Sequence, residues 1–488
     1  MKRLLSILSV AAGLLLGAAL PQAAHAQAIQ TKTVGGVTCS QYSAYNSYPK
    51  TFWDCINPAN PTAGEYASTG WAYTLPTAFQ TIVQADQLYL FSSSATYLKF
   101  FPNATVPDVG AMGATTTNVA AAFAKTSTGL DVSSYYGGTL VEQLGHFVDV
   151  SQGTPSTNLA VFTTALAYDI QYMNSLPANT VWPNDYQKYP GLTNFAILGK
   201  IYGNPNYDIW DFQFAFVNGG GIPDNLRGAL TYMPNTKGVM SNVFANAKGT
   251  PRVPATANAG VLCVQNTGYS TWPTTFWDCV HPFNATASEQ ALTAGAYSLP
   301  AAFKTLLNTA NIQLYIFELA TEYNDFEGKN IPVTGVLGVS DSTLKVSAAF
   351  TATDVGGVLQ DTTSYFQGTI AHELGHQLDI IWNRPSDNNA AWKAAIAKDV
   401  TAFNALPCAT AIDSSGSSYC TKYAGNSNWT IFTTKLFASD AATQNEELWA
   451  YSFQFTSQNQ TVSVLQSIER QLTNENAYMT TVFQNGHP

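Results

Sequence analysis

The sequence is poor in charged residues and in histidine. Asp, Glu, Lys and Arg make up 11% of the 488 residues, and the net charge of −10 leaves no basic excess that would neutralise phosphates. We therefore expect no nucleic-acid partner. Hydrophobic residues reach 46% and aromatic residues 12%, a composition that favours packed cores and argues against disorder.

Long apolar runs are also missing, except at the N-terminus. There a basic pair precedes an apolar run over residues 4–20, and an Ala-x-Ala cleavage pattern ends at Ala26. This combination is typical of a secretory signal peptide, which we place at residues 1–26. No later stretch reaches 18 uninterrupted apolar residues, so we expect no membrane span and a secreted or periplasmic protein.

No Cys-x-x-Cys motif occurs, which weighs against a structural zinc ion held by sulfur. The six cysteines instead form three close pairs, and in an exported chain such pairs favour local disulfides. The expected bridges are Cys39 with Cys55, Cys263 with Cys279, and Cys408 with Cys420.

The chain contains an internal repeat. The pentapeptide TFWDC at residues 51–55 recurs letter for letter at residues 275–279, an offset of 224 residues. A QLY segment follows in each copy, and further on Trp210 of the first copy aligns with Trp449 of the second. Because the order of these landmarks is preserved, we infer a domain duplication.

Each copy contains about 220 residues and predicts an α+β architecture. In both, a helical stretch precedes a strand rich in β-branched and aromatic residues, and short strands and further helices follow. We expect a first domain at residues 27–248, a linker rich in small residues and proline at 249–260, and a second domain at 261–488.

Two of the six histidines stand four residues apart, in the segment His372-Glu373-Leu374-Gly375-His376. No proline follows until Pro385, so we expect a helix, on which residues four apart share one face. Both imidazoles can then bind one Zn²⁺ ion at roughly 2.0–2.1 Å, while Glu373 can reach a water molecule as general base. Gly375 costs a helix about 1 kcal/mol, which is tolerable where another backbone approaches closely.

A catalytic zinc ion needs a third protein ligand. In the metzincin pattern it would be a histidine at position 382, which here is Trp382, so that class is excluded. The next glutamates after the motif are Glu446 and Glu447. Aligning the two tryptophans sets Glu447 opposite Asp208, so an acidic residue occupies this position in both copies. We prefer Glu447 as the ligand, and interpret Glu446 as a carboxylate favoured by the helix dipole.

Asp379 lies on the same helical stripe as the two histidines. It is a candidate third ligand, but its carboxylate lies roughly 4.5 Å past His376 along the helix. An aspartate that orients one imidazole through a hydrogen bond fits this position better. The first copy keeps an aspartate here, Asp149, although its ligand pair is lost, which favours a partly structural role in both copies.

The segments HELGHQLD at residues 372–379 and ELWA at residues 447–450 together resemble the catalytic domain of anthrax lethal-factor-type zincins. The resemblance implies two tandem zincin-like domains, each with a small mixed sheet and an active-site helix. It also implies a zinc-dependent endopeptidase that acts on a protein or peptide substrate, with His372, His376 and Glu447 as zinc ligands and Glu373 as general base.

The chain departs from this family at one position. Its members carry a tyrosine seven residues before the ligand glutamate, which helps to polarise the reacting carbonyl, and here that residue is Asp440. Tyr423 is a candidate substitute for this catalytic role. The alternative is that Tyr423 is a surface or packing residue.

The first copy has lost the metal-binding pattern. Glu142 replaces the first histidine and Gln143 replaces the general base. Because an amide cannot accept the proton of a water molecule, we expect no hydrolysis there. Glu142, His146 and Asp208 could still hold a divalent ion more weakly. The preferred interpretation is a domain retained for packing or binding, which presents substrate or supports its partner domain.

These patterns predict a secreted zinc endopeptidase with one zinc ion and one active centre per chain. Two alternatives stay open. One is a zinc amidase or deacylase acting on non-peptide amides, since the metal chemistry is the same. The other is a secreted binding protein with a vestigial zinc site, against which the intact Glu373 argues, because a structural site needs no base.

Overall fold

The computed structural model describes ten stretches of the chain. They are residues 27–44, 51–70, 74–106, 111–202, 205–219, 221–268, 275–412, 417–436, 443–457 and 463–488. The expected signal peptide at residues 1–26 and Asp440 lie outside them. In the described part, no helix has both the length and the apolar character needed to cross a membrane.

The chain forms two compact units. One consists of the residues up to Ser156 with Met173–Tyr232 and Asn246–Thr250, and the other of Thr157–Tyr172, Met233–Ala245 and Pro251–Pro488. Two segments of the first sequence repeat thus belong to the second unit.

The first unit contains a six-stranded mixed sheet. Its strands are β1 (Gln30–Val34), β2 (Val37–Ser43), β3 (Thr51–Asp54), β4 (Gln87–Ser93), β5 (Gly113–Thr116) and β6 (Val119–Lys125). They lie in the order β1-β2-β3-β4-β6-β5. The central pairs β3–β4 and β4–β6 are parallel, and the outer pairs are antiparallel. Because β5 ends the order, it is an edge strand.

The second unit repeats this sheet. Its strands are β7 (Ala255–Asn258), β8 (Val261–Thr267), β9 (Thr275–Asp278), β10 (Gln313–Phe317), β11 (Gly338–Asp341) and β12 (Val346–Phe350). The order β11-β12-β10-β9-β8-β7 matches the first sheet strand for strand, and β11 is the edge strand that corresponds to β5. This repetition confirms the expected α+β architecture of two tandem domains. Strand β7 lies within the segment expected to be a linker.

A two-stranded hairpin and the helices complete the architecture. The hairpin is β13 (Ala352–Val355) with β14 (Val358–Asp361). The helices up to residue 247 are α1 (Ala63–Ser68), α2 (Thr77–Ile82), α3 (Ser94–Phe100), α4 (Tyr136–Ser151), α5 (Pro155–Asn158), α6 (Ala160–Ser175), α7 (Ala178–Val181), α8 (Asn194–Tyr202), α9 (Pro205–Val217), α10 (Asp224–Leu230) and α11 (Pro234–Ala247).

The later helices repeat much of this series. They are α12 (Ala287–Leu292), α13 (Ala294–Tyr297), α14 (Ala301–Thr309), α15 (Ala320–Glu327), α16 (Phe366–Ile381), α17 (Pro385–Asn388), α18 (Ala390–Ala405), α19 (Cys408–Ala411), α20 (Ser417–Lys422), α21 (Asn428–Thr430), α22 (Gln444–Thr456), α23 (Ser463–Glu469) and α24 (Thr473–Asn485). Short 3-10 helices occur at Ser133–Tyr135, Tyr186–Lys188, Pro282–Asn284 and Thr363–Tyr365, and a π-helical segment at Ile431–Leu436.

All three expected disulfides are present. Cys39 bonds Cys55 and Cys263 bonds Cys279, each bridge spanning 16 residues and joining the second strand of its sheet to the residue that follows the third strand. The third bridge joins Cys408 to Cys420 across 12 residues. Its first cysteine aligns with Ala178 of the first copy, so this bridge belongs to the second copy alone.

The two faces of the second sheet bury different clusters. On β10 the side chains alternate, so that Leu314 and Ile316 face one way while Tyr315 and Phe317 face the other. The first face packs in one cluster with apolar residues of α16, and the second with aromatic residues of α15. Helix α16 is therefore held against the sheet, and this packing positions the candidate site.

Candidate metal centre

Helix α16 carries the HELGH segment, as expected. Its apolar residues Ile370, Leu374 and Leu378 recur every four positions and are fully buried in the core cluster that includes β10. The side chains of His372 and His376 are 10% and 14% exposed, respectively, so both ligand candidates are largely removed from water. The helical repeat thus buries the apolar stripe and leaves the two imidazoles on a shared face.

Helix α22 approaches α16 closely at Gly375. A Cβ atom at this position would lie 3.1 Å from Phe453 Cβ and 3.2 Å from Ala450 Cα. These distances are tighter than ordinary van der Waals contact, so the missing side chain permits the approach. Since Glu447 stands one turn before Ala450, the close crossing brings its carboxylate to the histidines.

Three side chains, two imidazoles and one carboxylate, converge between the two helices. His372 Nε2 lies 3.3 Å from Glu447 Oε2, His376 Nε2 lies 3.6 Å from Glu447 Oε1, and the two Nε2 atoms are 3.2 Å apart. Ligand atoms at tetrahedral corners around a zinc ion, with bonds of roughly 2.0–2.1 Å, are about 3.3–3.4 Å apart. The three groups therefore have the types and spacing of a zinc ligand set.

Glu446 points elsewhere, although it neighbours Glu447. Its carboxylate forms an ion pair with the Arg384 guanidinium. Arg384 follows the end of α16, with a left-handed backbone conformation (φ 56°). Of the two glutamates weighed from the sequence, the structure places Glu447 beside the imidazoles.

The surroundings favour the protonation states that a metal ion requires. Burial, and then the neighbouring His372, lower the pKa of His376 to about 4, so this imidazole is neutral near pH 7. Burial acts to raise the pKa of Glu447, but the hydrogen bond and charges of the histidines outweigh it and lower this pKa to about 2. Neutral imidazole and ionised carboxylate are the ligand forms that bind zinc.

Glu373 occupies a buried position beside the edge strand β11. A Cβ atom at Gly338 would lie 2.7 Å from Glu373 Oε1, so glycine leaves the room that this carboxylate fills. Burial, and then the charge of Glu447, raise the pKa of Glu373 well above its ordinary value. A carboxylate with a raised proton affinity is suited to take a proton from a nucleophile and release it later.

Asp379 is hydrogen-bonded to the start of the next helix. Its Oδ1 accepts from the Ser386 backbone N–H at 2.9 Å, and its Oδ2 accepts from the Ser386 hydroxyl at 2.7 Å. Asp149 and Ser156 repeat this arrangement in the first copy at 2.8 and 2.6 Å. Both copies thus share this contact, while a partly structural role and the role of orienting an imidazole both stay predictions.

Tyr423 packs partly buried against the core cluster of the second unit, and Lys422 Nζ lies 5.1 Å from the centre of its ring. A catalytic role for Tyr423 stays a prediction.

Sequence reasoning missed Tyr451, which contacts the site directly. Its ring centre lies 4.2 Å from that of His372. Burial, and then the charges of Glu447 and Glu373, raise its pKa well above the ordinary value, so the hydroxyl keeps its proton. The spacing of four residues from Glu447 on one helix was the available signal. The first copy has Phe212 at this position.

The first copy builds a different cluster from the matching helices α4 and α9. Its candidate ligands His146, Asp208 and Asp211 have donor atoms within 4.8 Å of one another. Asp211 was not foreseen; it aligns with Ala450 and its Oδ2 lies 2.7 Å from His146 Nδ1. Gln143, which stands where the second copy has its general base, donates its amide N–H to Glu142 Oε1 at 3.0 Å.

Electrostatics distinguish this cluster from the site in the second copy. Burial raises the pKa of Glu142 to about 8 and that of Asp211 to about 6. Burial alone would lower the pKa of His146, but the Asp211 and Glu142 carboxylates raise it to about 9. Without a bound cation, this histidine carries a proton at neutral pH, unlike His376.

Comparison with known proteins finds no matching family model, no matching curated protein and no matching solved structure.

Proposed function

We propose that the protein is a secreted, zinc-dependent endopeptidase with one hydrolytic centre per chain, in its second domain. The observation that carries the proposal is the convergence of His372, His376 and Glu447. The two imidazole Nε2 atoms are 3.2 Å apart, and they lie 3.3 and 3.6 Å from the two oxygens of the Glu447 carboxylate. If the two histidines lay four residues apart only by chance, we would not expect a carboxylate at these distances from both imidazoles. The resemblance of both motifs to lethal-factor-type zincins supports the same assignment.

The donor set leaves room for a reactant. Three protein ligands fill three corners of a tetrahedron, and the Glu447 side chain is 30% exposed, so the site is open to solvent on that side. A bound zinc ion would supply Lewis-acid polarisation of the substrate carbonyl and would acidify a water molecule. A purely structural zinc site is typically closed by a fourth protein ligand.

Glu373 has the position and proton affinity of the general base. Its buried carboxylate accepts a proton as water attacks the carbonyl carbon, and returns that proton to the amine that leaves when the C–N bond breaks. The proton taken from water thus ends on the leaving amine, and the carboxylate is regenerated. Tyr451, which keeps its proton and packs on His372, holds that imidazole in place from the side of α22.

Export is part of the proposal. The three disulfides match an oxidising compartment, and the pattern of residues 1–26 matches a cleaved signal peptide.

Substitution of the base tests the proposed function. Glu373→Gln should retain zinc, because the ligands are untouched, and lose about 100-fold or more of its peptide cleavage. The assay incubates purified full-length protein with a peptide library, follows the products by mass spectrometry and measures metal content in parallel. Glu318→Gln, an exposed carboxylate in the same unit, is the matched control and should cleave like the wild type.

Other outcomes are equally informative. Cleavage by Glu373→Gln at the wild-type rate would remove Glu373 from the mechanism. Zinc bound by a wild type that cleaves no peptide would overturn the endopeptidase assignment, and release of non-peptide amides by that protein would favour an amidase or deacylase.

A further inference from the structure

The first unit contains a cavity of about 620 Å³ at the place where the second copy has its metal centre. Glu142 and His146 of α4 and Asp208 of α9 line this cavity, together with the edge strand β5. By alignment these three residues match His372, His376 and Glu447. The duplication has thus retained three potential ligands at matching positions, and one of them, Glu142, is a carboxylate in place of a histidine.

A buried carboxylate supports the histidine from behind. Asp211 is 1% exposed, and its Oδ2 lies 2.7 Å from His146 Nδ1. Histidines that bind a metal ion through one ring nitrogen commonly donate the other to a carboxylate, which fixes the ring and its tautomer. In the second copy Ala450 occupies the matching position, so this support was added, or kept, in the first copy alone.

The cluster is rich in acidic groups. Three carboxylates, Glu142, Asp208 and Asp211, surround one imidazole, and Glu142 is 8% exposed. Asp211 Oδ1 is buried and has no hydrogen-bond partner in the part of the chain that the structure describes. The cavity beside Glu142, His146 and Asp208 has room for a cation.

We propose that the first unit binds a second divalent cation through Glu142, His146 and Asp208, with Asp211 as a positioning residue on His146. Two carboxylates and one imidazole suit a divalent transition metal that accepts mixed oxygen and nitrogen ligands, such as Mn²⁺ or Zn²⁺. Because Gln143 stands where the second copy has Glu373, this centre binds its ion without hydrolysis. The first domain is a metal-stabilised domain and not merely an inactive remnant.

The experiment isolates this centre in the full chain. The variant His372→Ala with His376→Ala removes the ligands of the second domain and serves as the parent. It is titrated with Mn²⁺ by electron paramagnetic resonance, with Zn²⁺ as competitor, and should bind one Mn²⁺ per chain. Asp208→Asn in this background should weaken binding about 100-fold or more, and Asp211→Asn about 10- to 100-fold. The exposed Asp224→Asn is the matched control and should bind like the parent.

Thermal unfolding with and without Mn²⁺ keeps the test decisive if a buried variant folds poorly. The metal should raise the unfolding temperature of the parent and of Asp224→Asn. It should leave the unfolding temperature of the isosteric variant Glu142→Gln unchanged. A parent that binds no Mn²⁺ or Zn²⁺, or an Asp208→Asn variant that binds as the parent does, overturns the proposal. Neither result affects the peptidase assignment, because that assignment concerns the metal bound by His372 and His376, which the parent variant lacks.

Discussion

Gly338 on the edge strand β11 offers a sharp test of how the second domain places its base. A Cβ atom there would lie 2.6 Å from Thr369 Cγ2, 2.7 Å from Glu373 Oε1 and 2.8 Å from the Ala348 carbonyl oxygen. Optimal contacts between heavy atoms begin near 3.5 Å. The Ala348 carbonyl belongs to the neighbouring strand β12 and cannot easily retreat, so the flexible end of Glu373 must move by roughly 0.5–1 Å.

The expected effect of Gly338→Ala follows from this displacement. Misplacing a catalytic group by about 1 Å costs on the order of 100-fold in rate, and overpacking costs about 1–3 kcal/mol of stability. We therefore expect a 10- to 100-fold lower kcat on a cleavable reporter peptide, with metal content unchanged. Initial rates, metal analysis and calorimetry measure the three quantities.

The duplication supplies the matched control. In the first copy a Cβ atom at Gly113 would lie 2.5 Å from the Ala121 carbonyl oxygen and 2.6 Å from Thr139 Cγ2, with Gln143 in place of the base. Gly113→Ala should therefore destabilise its own domain by a similar amount and leave hydrolysis unchanged. Wild-type kcat in Gly338→Ala, or an equal loss in Gly113→Ala, would refute the reasoning.

Two further predictions concern stability. Burial, and then Asp399, raise the pKa of Glu469 to about 8, so the folded state holds this proton more tightly than the unfolded chain does. The free energy of unfolding should fall as pH rises from about 4.5 to 8, by at most about 1.4 kcal/mol per pH unit. Thermal unfolding of Glu469→Leu should show a flatter dependence of stability on pH. An unchanged dependence in this variant would contradict the prediction. The first copy has Leu230 at this position, fully buried. Replacing Cys408 and Cys420 by alanine should cost about 2–3 kcal/mol, seen as a lower denaturation midpoint of the second unit, and an unshifted midpoint would count against a stabilising role.

Local patterns predicted the parts of the site that lie within one helix. The spacing of His372 and His376 determines that both imidazoles share a face, because the helical repeat is the same in every fold. The paired cysteines and the repeated landmarks likewise specified three bridges and two related domains, which the structure confirms. These features depend on short distances along the chain.

The meeting of distant segments was decided by tertiary packing. Glu447 reaches the histidines because Gly375 lets α22 approach α16, and the room for Glu373 depends on Gly338 in a strand that precedes the helix. The contact of Tyr451 with His372 and that of Asp211 with His146 also join separate helices, and the spacing within one helix does not determine which residue of the other helix it meets. The division into units shows the same limit, since two segments of the first repeat cluster with the second unit. Sequence periodicity determines which face a residue occupies, whereas side-chain packing across the whole domain determines what that face meets.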